Sequence, residues 1–126
     1  MPDLAVRLKP AADIPGASIV ALRGAIDPKN VETLHAAISG AVGKGTRTFI
    51  FDLADTKYVN SAGLGYLVNL ADALAARSGR LEIANPQPKV KIVFELMGLT
   101  QFFTVHPTVQ AALEALGPKV RRRRRA

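Results

Sequence analysis

The alternation of strand-like and helix-like segments is the feature that most constrains the fold of this 126-residue chain. Two strand-like runs open the chain, and an amphipathic helix separates each later strand from the next. The predicted strands cover residues 4–8, 17–22, 46–53, 80–84 and 102–105, and the predicted helices begin at residues 28, 61, 89 and 107. Such alternation is typical of an α/β layer fold, in which helices cover a sheet. The sequence therefore predicts one α/β domain.

Local signals set the predicted helix boundaries. Asp27 followed by Pro28 is typical of a helix start, with Asp27 as the N-cap and Pro28 at the first helical position. Apolar residues then recur at spacings of three and four as far as Val42. Pro107 opens the last helix, and Gly98 closes the third one.

Composition excludes several classes of protein. The chain has no cysteine, which removes disulfides, thiolate metal sites, iron–sulfur clusters and thiol catalysis. It has no run of about 18 apolar residues, and its first residues lack the pattern of a signal peptide. With 48% hydrophobic and 21% charged residues, its composition is that of an ordinary globular protein. We therefore expect a soluble cytoplasmic domain.

The net charge of +7 depends on the C-terminal run Arg121–Arg125. The remaining 12 basic residues exceed the 10 acidic ones by only two, and aromatic residues are not interleaved with them as in single-strand binders. We therefore predict a domain over residues 1–118 and a basic, disordered tail over residues 119–126. The tail can be a non-native end, a ligand for an acidic partner, lipid or nucleic acid, or inert.

The segment from Phe51 to Gly65 is the one that points to a site. A buried strand ends there, a short polar loop follows, and a helix begins at Asn60-Ser61. The first turn of a helix offers unpaired N–H donors and a partial positive charge, which favour an anion such as phosphate. Gly63 and Gly65 leave room for the backbone of a partner. The alternative is that Ser61 or Asn60 serves only as an N-cap.

Three short segments carry a resemblance to a known family. They are Leu-Arg-Gly-Ala-Ile-Asp at residues 22–27, Asp52-Leu53, and Val-Asn-Ser-Ala-Gly-Leu-Gly at residues 59–65. With them, residues 4–116 resemble the STAS domain, the fold of bacterial anti-sigma factor antagonists and of the cytosolic tails of sulfate transporters. The resemblance implies an α/β fold with a mixed sheet of four or five strands and about four helices packed mostly on one side.

The resemblance also implies a function, with Ser61 as the phosphorylated serine. An unphosphorylated antagonist binds an anti-sigma factor that is also a serine kinase, and phosphorylation releases it until a phosphatase resets it. Asn60 stands where the family usually has Asp, which leaves open a non-phosphorylated STAS adaptor, for example a subunit of a lipid-transport ATPase. A third hypothesis is a nucleic-acid binder that acts through Arg121–Arg125.

The partner-binding surface implied by the resemblance surrounds the same serine. Its predicted members are Asp27, Tyr58, Asn60, Ser61, Ala62, Gly63 and Leu64. For Leu64 a place in the core is an equal alternative. Thr56, in the predicted loop, is a secondary candidate for phosphorylation.

No sequence pattern indicates catalysis, a metal or a cofactor. His35 and His106 have no second histidine at metal-ligand spacing. Asp52 and Asp55 flank a strand end, where a solvated loop is a better account than an acid/base pair. We therefore expect a binding module, not an enzyme, without metal or cofactor.

Overall fold

The computed structural model describes residues 4–117, and the predicted tail with Arg121–Arg125 lies outside them. The described residues form six strands, four α-helices and one 3₁₀ turn. The strands are β1 (Ala5–Pro10), β2 (Ala17–Ile26), β3 (Thr48–Asp52), β4 (Thr56–Val59), β5 (Arg80–Ala84) and β6 (Thr104–His106). The helices are α1 (Val31–Gly43), α2 (Ser61–Ala75), α3 (Pro88–Leu96) and α4 (Val109–Leu116), and the 3₁₀ turn is Leu99–Gln101.

The strands form a mixed sheet in the order β1-β2-β3-β5-β6, and β4 pairs with β2 beside this path. The β1 strand is antiparallel to β2, and the other pairs are parallel. The predicted α/β fold with a mixed sheet is confirmed. Five strands make the continuous path, and β4 is one strand more than the prediction contained.

The long β2 strand explains why β4 exists. Its first half, Ala17–Ala21, pairs with β3, and its end from Gly24 to Ile26 pairs with β4, with a register shift between Gly24 and Ala25. The Thr56 hydroxyl donates a 2.8 Å hydrogen bond to the Leu22 carbonyl from a fully buried position. The prediction of a polar loop here was wrong, because a long-range pairing completes this strand. Burial also removes Thr56 as an accessible phosphorylation site.

Side chains on β3 alternate between the two faces of the sheet. Phe49 and Phe51 lie in the main core, which α1, α2 and α3 cover. Ile50 points the other way, into a small cluster with Ala84 and Ala112, and α4 covers that side. Because three of the four helices share one face, the predicted one-sided packing is confirmed.

The first helix begins later than the sequence predicted. Asn30, not Asp27, occupies the N-cap position before Val31. Asp27 Oδ1 accepts hydrogen bonds from the main-chain N–H groups of Lys29 and Asn30, at 2.9 and 3.0 Å. The predicted N-cap role was therefore wrong: Asp27 caps the separate turn that leads into α1.

The C-terminal elements are also shifted. The Thr108 side chain caps α4 by accepting from the Ala111 N–H at 2.9 Å, so that Pro107 precedes the helix. The last strand begins at Thr104 instead of residue 102, since Phe103 turns into the core. Its ring centroid lies 5.4 Å from that of Phe94. Within residues 4–117, no helix is long and apolar enough to cross a membrane.

Candidate functional site

The candidate site lies where β2 and β4 end side by side. Ile26 pairs with Val59, and the Asn60 N–H donates a 3.0 Å hydrogen bond to the Ile26 carbonyl. Asp27 and Asn60 directly follow the ends of β2 and β4, which run parallel to each other. The fold thus brings the predicted Asp27 and the start of α2 to one edge of the sheet, although 33 positions separate them in sequence.

Asn60 is the N-cap of α2. Its Oδ1 accepts a 3.0 Å hydrogen bond from the Gly63 N–H, and its carbonyl accepts one of 2.9 Å from the Leu64 N–H. Of the two residues that the sequence proposed as caps, Asn60 has this role. Ser61 follows as the first helical residue, and it is exposed.

Gly63 is required by the packing of the protein itself. A Cβ atom at this buried position would lie 2.7 Å from Cγ2 of Ile26 and 2.9 Å from Cγ1 of Val59. The prediction that Gly63 leaves room for a partner backbone was wrong, because these two side chains already fill the space. At the exposed Gly65, a Cβ would meet no atom within 4 Å.

The two large residues predicted for the interface differ in exposure. Tyr58 is 56% exposed, whereas Leu64 is only 8% exposed and belongs to the core. Both line a shallow groove of about 150 Å³ between β4, the first turn of α2 and α3. Leu64 is therefore a core residue that forms part of the groove floor. Ala62 is half-buried beside Ser61.

Asp52, the last residue of β3, stabilises the turn that follows the strand. Asp52 Oδ1 accepts from the Ala54 N–H at 3.1 Å and from Nδ2 of Asn85 at 3.2 Å. Gln87 Nε2 donates to the Ala54 carbonyl at 2.9 Å. These bonds connect the β3–β4 turn to the β5–α3 loop, and Asp55 is exposed on the same turn. The solvated account therefore holds for Asp55, whereas Asp52 is half-buried at the end of β3 and is hydrogen-bonded there.

His35 and His106 lie apart, and each contacts a different set of residues. His35 on α1 contacts the Tyr66 hydroxyl at 3.4 Å and the Ser39 hydroxyl at 3.3 Å. Burial raises the pKa of Tyr66 to about 12, so this phenol stays neutral at physiological pH. His106 is the last residue of β6, one position beyond the predicted strand over residues 102–105. In the part of the chain that the structure describes, no three metal-ligating side chains cluster.

Sequence reasoning missed two features. Glu82, fully buried on β5, lies 2.6 Å from Nε2 of His106 and 2.8 Å from the Arg80 guanidinium. Nothing in the local sequence indicates this cluster, which depends on the pairing of β5 with β6. The second feature is an exposed apolar surface on α3. Its signal was readable, since Ile92 and Leu96 lie outside the helix face formed by Val90 and Phe94.

Residues 9–112 match the STAS domain family. The chain is 34% identical over 102 residues to BtrV of Bordetella bronchiseptica, a candidate anti-sigma factor antagonist, covering 81% of this chain and 88% of BtrV. It is 34% identical over 82 residues to the anti-sigma F factor antagonist of Lysinibacillus sphaericus, covering 64% of this chain and 70% of that protein.

Solved structures agree with these sequence matches. The anti-sigma factor antagonist SpoIIAA in its unphosphorylated form superposes with a TM-score of 0.73 at 28% identity, covering 88% of this chain and 95% of SpoIIAA. The phosphorylated form of SpoIIAA from Bacillus gives a TM-score of 0.68 at 27% identity, covering 88% of this chain and 98% of that one.

Proposed function

The chain belongs to the STAS domain family, and on that premise we propose that it is an anti-sigma factor antagonist in a partner-switching pathway. Its partner is an anti-sigma factor that is also a serine kinase, bound while Ser61 is unphosphorylated. Phosphorylation of Ser61 releases the partner, and a phosphatase restores the binding form. In this role the protein is a cytoplasmic binding module, not an enzyme.

The observation that carries the proposal is the position of Ser61. It is the exposed first residue of α2, and Asn60 supplies the side-chain cap of that helix. Because the Ser61 hydroxyl does not cap α2, a phosphate on it breaks no capping hydrogen bond of the fold. That SpoIIAA exists in unphosphorylated and phosphorylated forms of the same fold supports a switch of this kind.

Electrostatics explain how the modification would act. A phosphate adds about −1.5 to −2 charges, which the positive end of α2 tolerates within the free domain. In a docked interface, the same group must be desolvated and meets any carboxylate of the partner. Asp27 adds negative charge at this edge. The phosphorylated protein thus stays folded but loses affinity for its partner.

Asn60 supports a second candidate function. As a neutral residue, it caps α2 without offering a carboxylate to a kinase. A STAS adaptor that binds constitutively, for example in a lipid-transport ATPase, would keep the same fold and cap without needing a phosphate. The two candidates therefore differ in one measurable property, the modification of Ser61.

Intact-mass analysis after incubation with ATP and lysate of the native cell tests the proposal. We expect one added phosphate on the wild type and none on Ser61→Ala. No phosphate on either protein, in a lysate that modifies a control antagonist, would favour the adaptor. The kinase that modifies Ser61 is then purified, and its dissociation constant for this protein is measured.

Binding to that purified kinase tests the release step. We expect Ser61→Asp to bind at least about tenfold more weakly than wild type, a loss of roughly 1.4 kcal/mol, and Ser61→Ala to bind constitutively. Ser78→Asp is the matched control, an exposed serine in the turn after α2. Equal affinities of wild type, Ser61→Asp and Ser61→Ala would rule out the switch.

A further inference from the structure

Exposed apolar side chains are concentrated on one side of the domain. In residues 4–117, six large apolar side chains are exposed, and four of them lie between residues 92 and 102. A fifth, Tyr58, lies on β4, against which α3 packs. The six are Leu8, Tyr58, Ile92, Leu96, Met97 and Phe102. Scattered apolar residues are normal on a surface, but a contiguous group marks an interaction site.

The group follows the outer face of α3. Val90 and Phe94 point into the core, whereas Ile92 is 53% and Leu96 81% exposed. Because positions four apart share a helix face, Ile92 and Leu96 form one outward surface, and Val93, which is partly buried against the main core, borders it. We define the α3 strip as Tyr58, Ile92, Val93, Leu96 and Met97.

The strip is continuous with the site at Ser61. Tyr58 and Val93 line the shallow groove whose floor includes Leu64, one turn after Ser61. A partner that covers Ser61 and Tyr58 therefore has an apolar path along α3.

The charges beside the strip are mostly positive. Lys57, Lys89 and Lys91 are exposed around it, and the only acidic residue of α3 is Glu95. A second copy of this protein would bring two sets of lysines together, which is unfavourable. A partner segment with apolar residues flanked by carboxylates matches both the strip and its charge.

We propose that the α3 strip docks such an acidic, apolar segment of the anti-sigma factor kinase and that this contact is independent of the Ser61 switch. The inference rests on the proposed function, which it extends with a second contact surface. The contact at the strip contributes to the free energy of binding, and phosphorylation of Ser61 does not change this contribution.

The exposure of both residues supports that independence. Ser61 and Leu96 are exposed, and neither of them lines the groove that lies between α2 and α3. A charge on one exposed residue acts on another through water and salt, and the Debye length at physiological ionic strength is about 8 Å. Solvent therefore weakens the effect of a phosphate on Ser61 on a contact at Leu96.

A double-mutant cycle with the purified kinase tests the inference. We expect Leu96→Ala to weaken binding about 5- to 30-fold, as for a residue of an interface hot spot. We expect the same factor, within about twofold, in the Ser61→Asp background, because uncoupled contacts are additive. Leu8→Ala is the matched control, an exposed leucine on β1, and should leave the dissociation constant unchanged. Since Leu96 is largely exposed, its replacement does not disturb folding.

A charge reversal tests the chemistry of the partner segment. Lys91→Glu should weaken kinase binding and reduce its salt dependence, whereas Lys9→Glu, an exposed lysine on β1, should do neither. An unchanged affinity for both variants would overturn the acidic character of the partner.

Each result separates the strip from the switch. If Leu96→Ala has no effect while Ser61→Asp weakens binding, the strip is overturned and the proposed function stands. If Leu96→Ala weakens kinase binding in the wild-type background but not in the Ser61→Asp background, the independence of the strip from the switch is overturned. If Ser61→Asp has no effect, the proposed function fails. A wild-type dimer that Leu96→Ala converts to a monomer in sedimentation equilibrium would assign the strip to a second copy instead.

Discussion

Asn60 shows how one side chain can serve the fold while changing the chemistry of a site. Its Oδ1 satisfies the Gly63 N–H, as an aspartate would, but without a charge at the positive end of α2. The fold therefore does not depend on whether the capping residue is Asn or Asp. Only the electrostatics beside Ser61 depend on it.

Replacing Asn60 separates these two roles. We expect Asn60→Ala to lower the free energy of unfolding by about 1 kcal/mol, because the cap is lost. Asn60→Asp should keep the cap and gain about 0.3–1 kcal/mol from the helix dipole. Urea denaturation measures both, and the rate of Ser61 phosphorylation should rise for Asn60→Asp. Equal stability of Asn60→Ala and wild type would contradict the capping role.

Gly63 and Gly65 are two residues apart and should respond in opposite ways. Gly63→Ala forces a methyl group into contact with Ile26 and Val59, and we expect a loss of about 1–3 kcal/mol through overpacking. Gly65→Ala has open space and should stabilise α2 by about 0.5–1 kcal/mol. Urea unfolding of the two variants checks this pair, and a neutral Gly63→Ala would refute the close packing of α2 on β4.

At the scale of elements, the three-residue strand β6 needs a side-chain anchor. Its His106 is bonded to the buried Glu82 of β5, which also pairs with Arg80. Arg80 is about half-exposed, so water screens its contribution, whereas the side chain of His106 is only 12% exposed. The His106 contact, which joins β6 to β5, should therefore stabilise the fold more than the Arg80 contact, which lies within β5.

Two alanine variants compare these contacts. We expect His106→Ala to lower the unfolding free energy by about 1.5–3 kcal/mol, because the buried carboxylate loses a hydrogen-bond partner. Arg80→Ala should cost at most about 1 kcal/mol. Urea denaturation gives both values, and hydrogen exchange at β6 should increase in the His106 variant. Equal losses of unfolding free energy in the two variants would show that burial does not make the His106 contact stronger than the Arg80 contact.

At the scale of the whole molecule, the proposed switch requires that the fold stay constant while the surface changes. Ser61 extends from the start of α2 at an edge of the sheet, so a charge there reaches the partner without disturbing the core. Ser61 belongs neither to the main core on one face nor to the small α4 cluster on the other.

The stability of Ser61→Asp tests this separation. We expect its unfolding free energy to equal that of wild type or exceed it by about 0.3–1 kcal/mol, since an acidic residue at a helix start is favourable. Ser61→Ala should lie within about 0.5 kcal/mol of wild type. Amide spectra of Ser61→Asp should shift only around the start of α2. A destabilised or globally shifted spectrum would mean that the switch works through the fold instead.

The sequence by itself determined the features that depend on neighbouring residues. The alternation of elements, the strand over residues 80–84 and the helix start at Asn60-Ser61 all follow from short-range patterns. Boundaries were less well predicted, because competing caps such as Asp27 and Asn30 lie within one turn of each other. The family resemblance likewise depends on three short segments, at residues 22–27, 52–53 and 59–65.

Only the tertiary structure decided which residues meet across the chain. The β4 strand exists because the end of β2 remains unpaired by β3, and Glu82 finds His106 only after β5 and β6 align. The burial of Leu64 is decided in the same way, since the sequence was equally compatible with an exposed contact at this position. The physical reason is that local propensity acts over a few residues, whereas pairing, burial and surface chemistry depend on contacts between residues far apart in sequence.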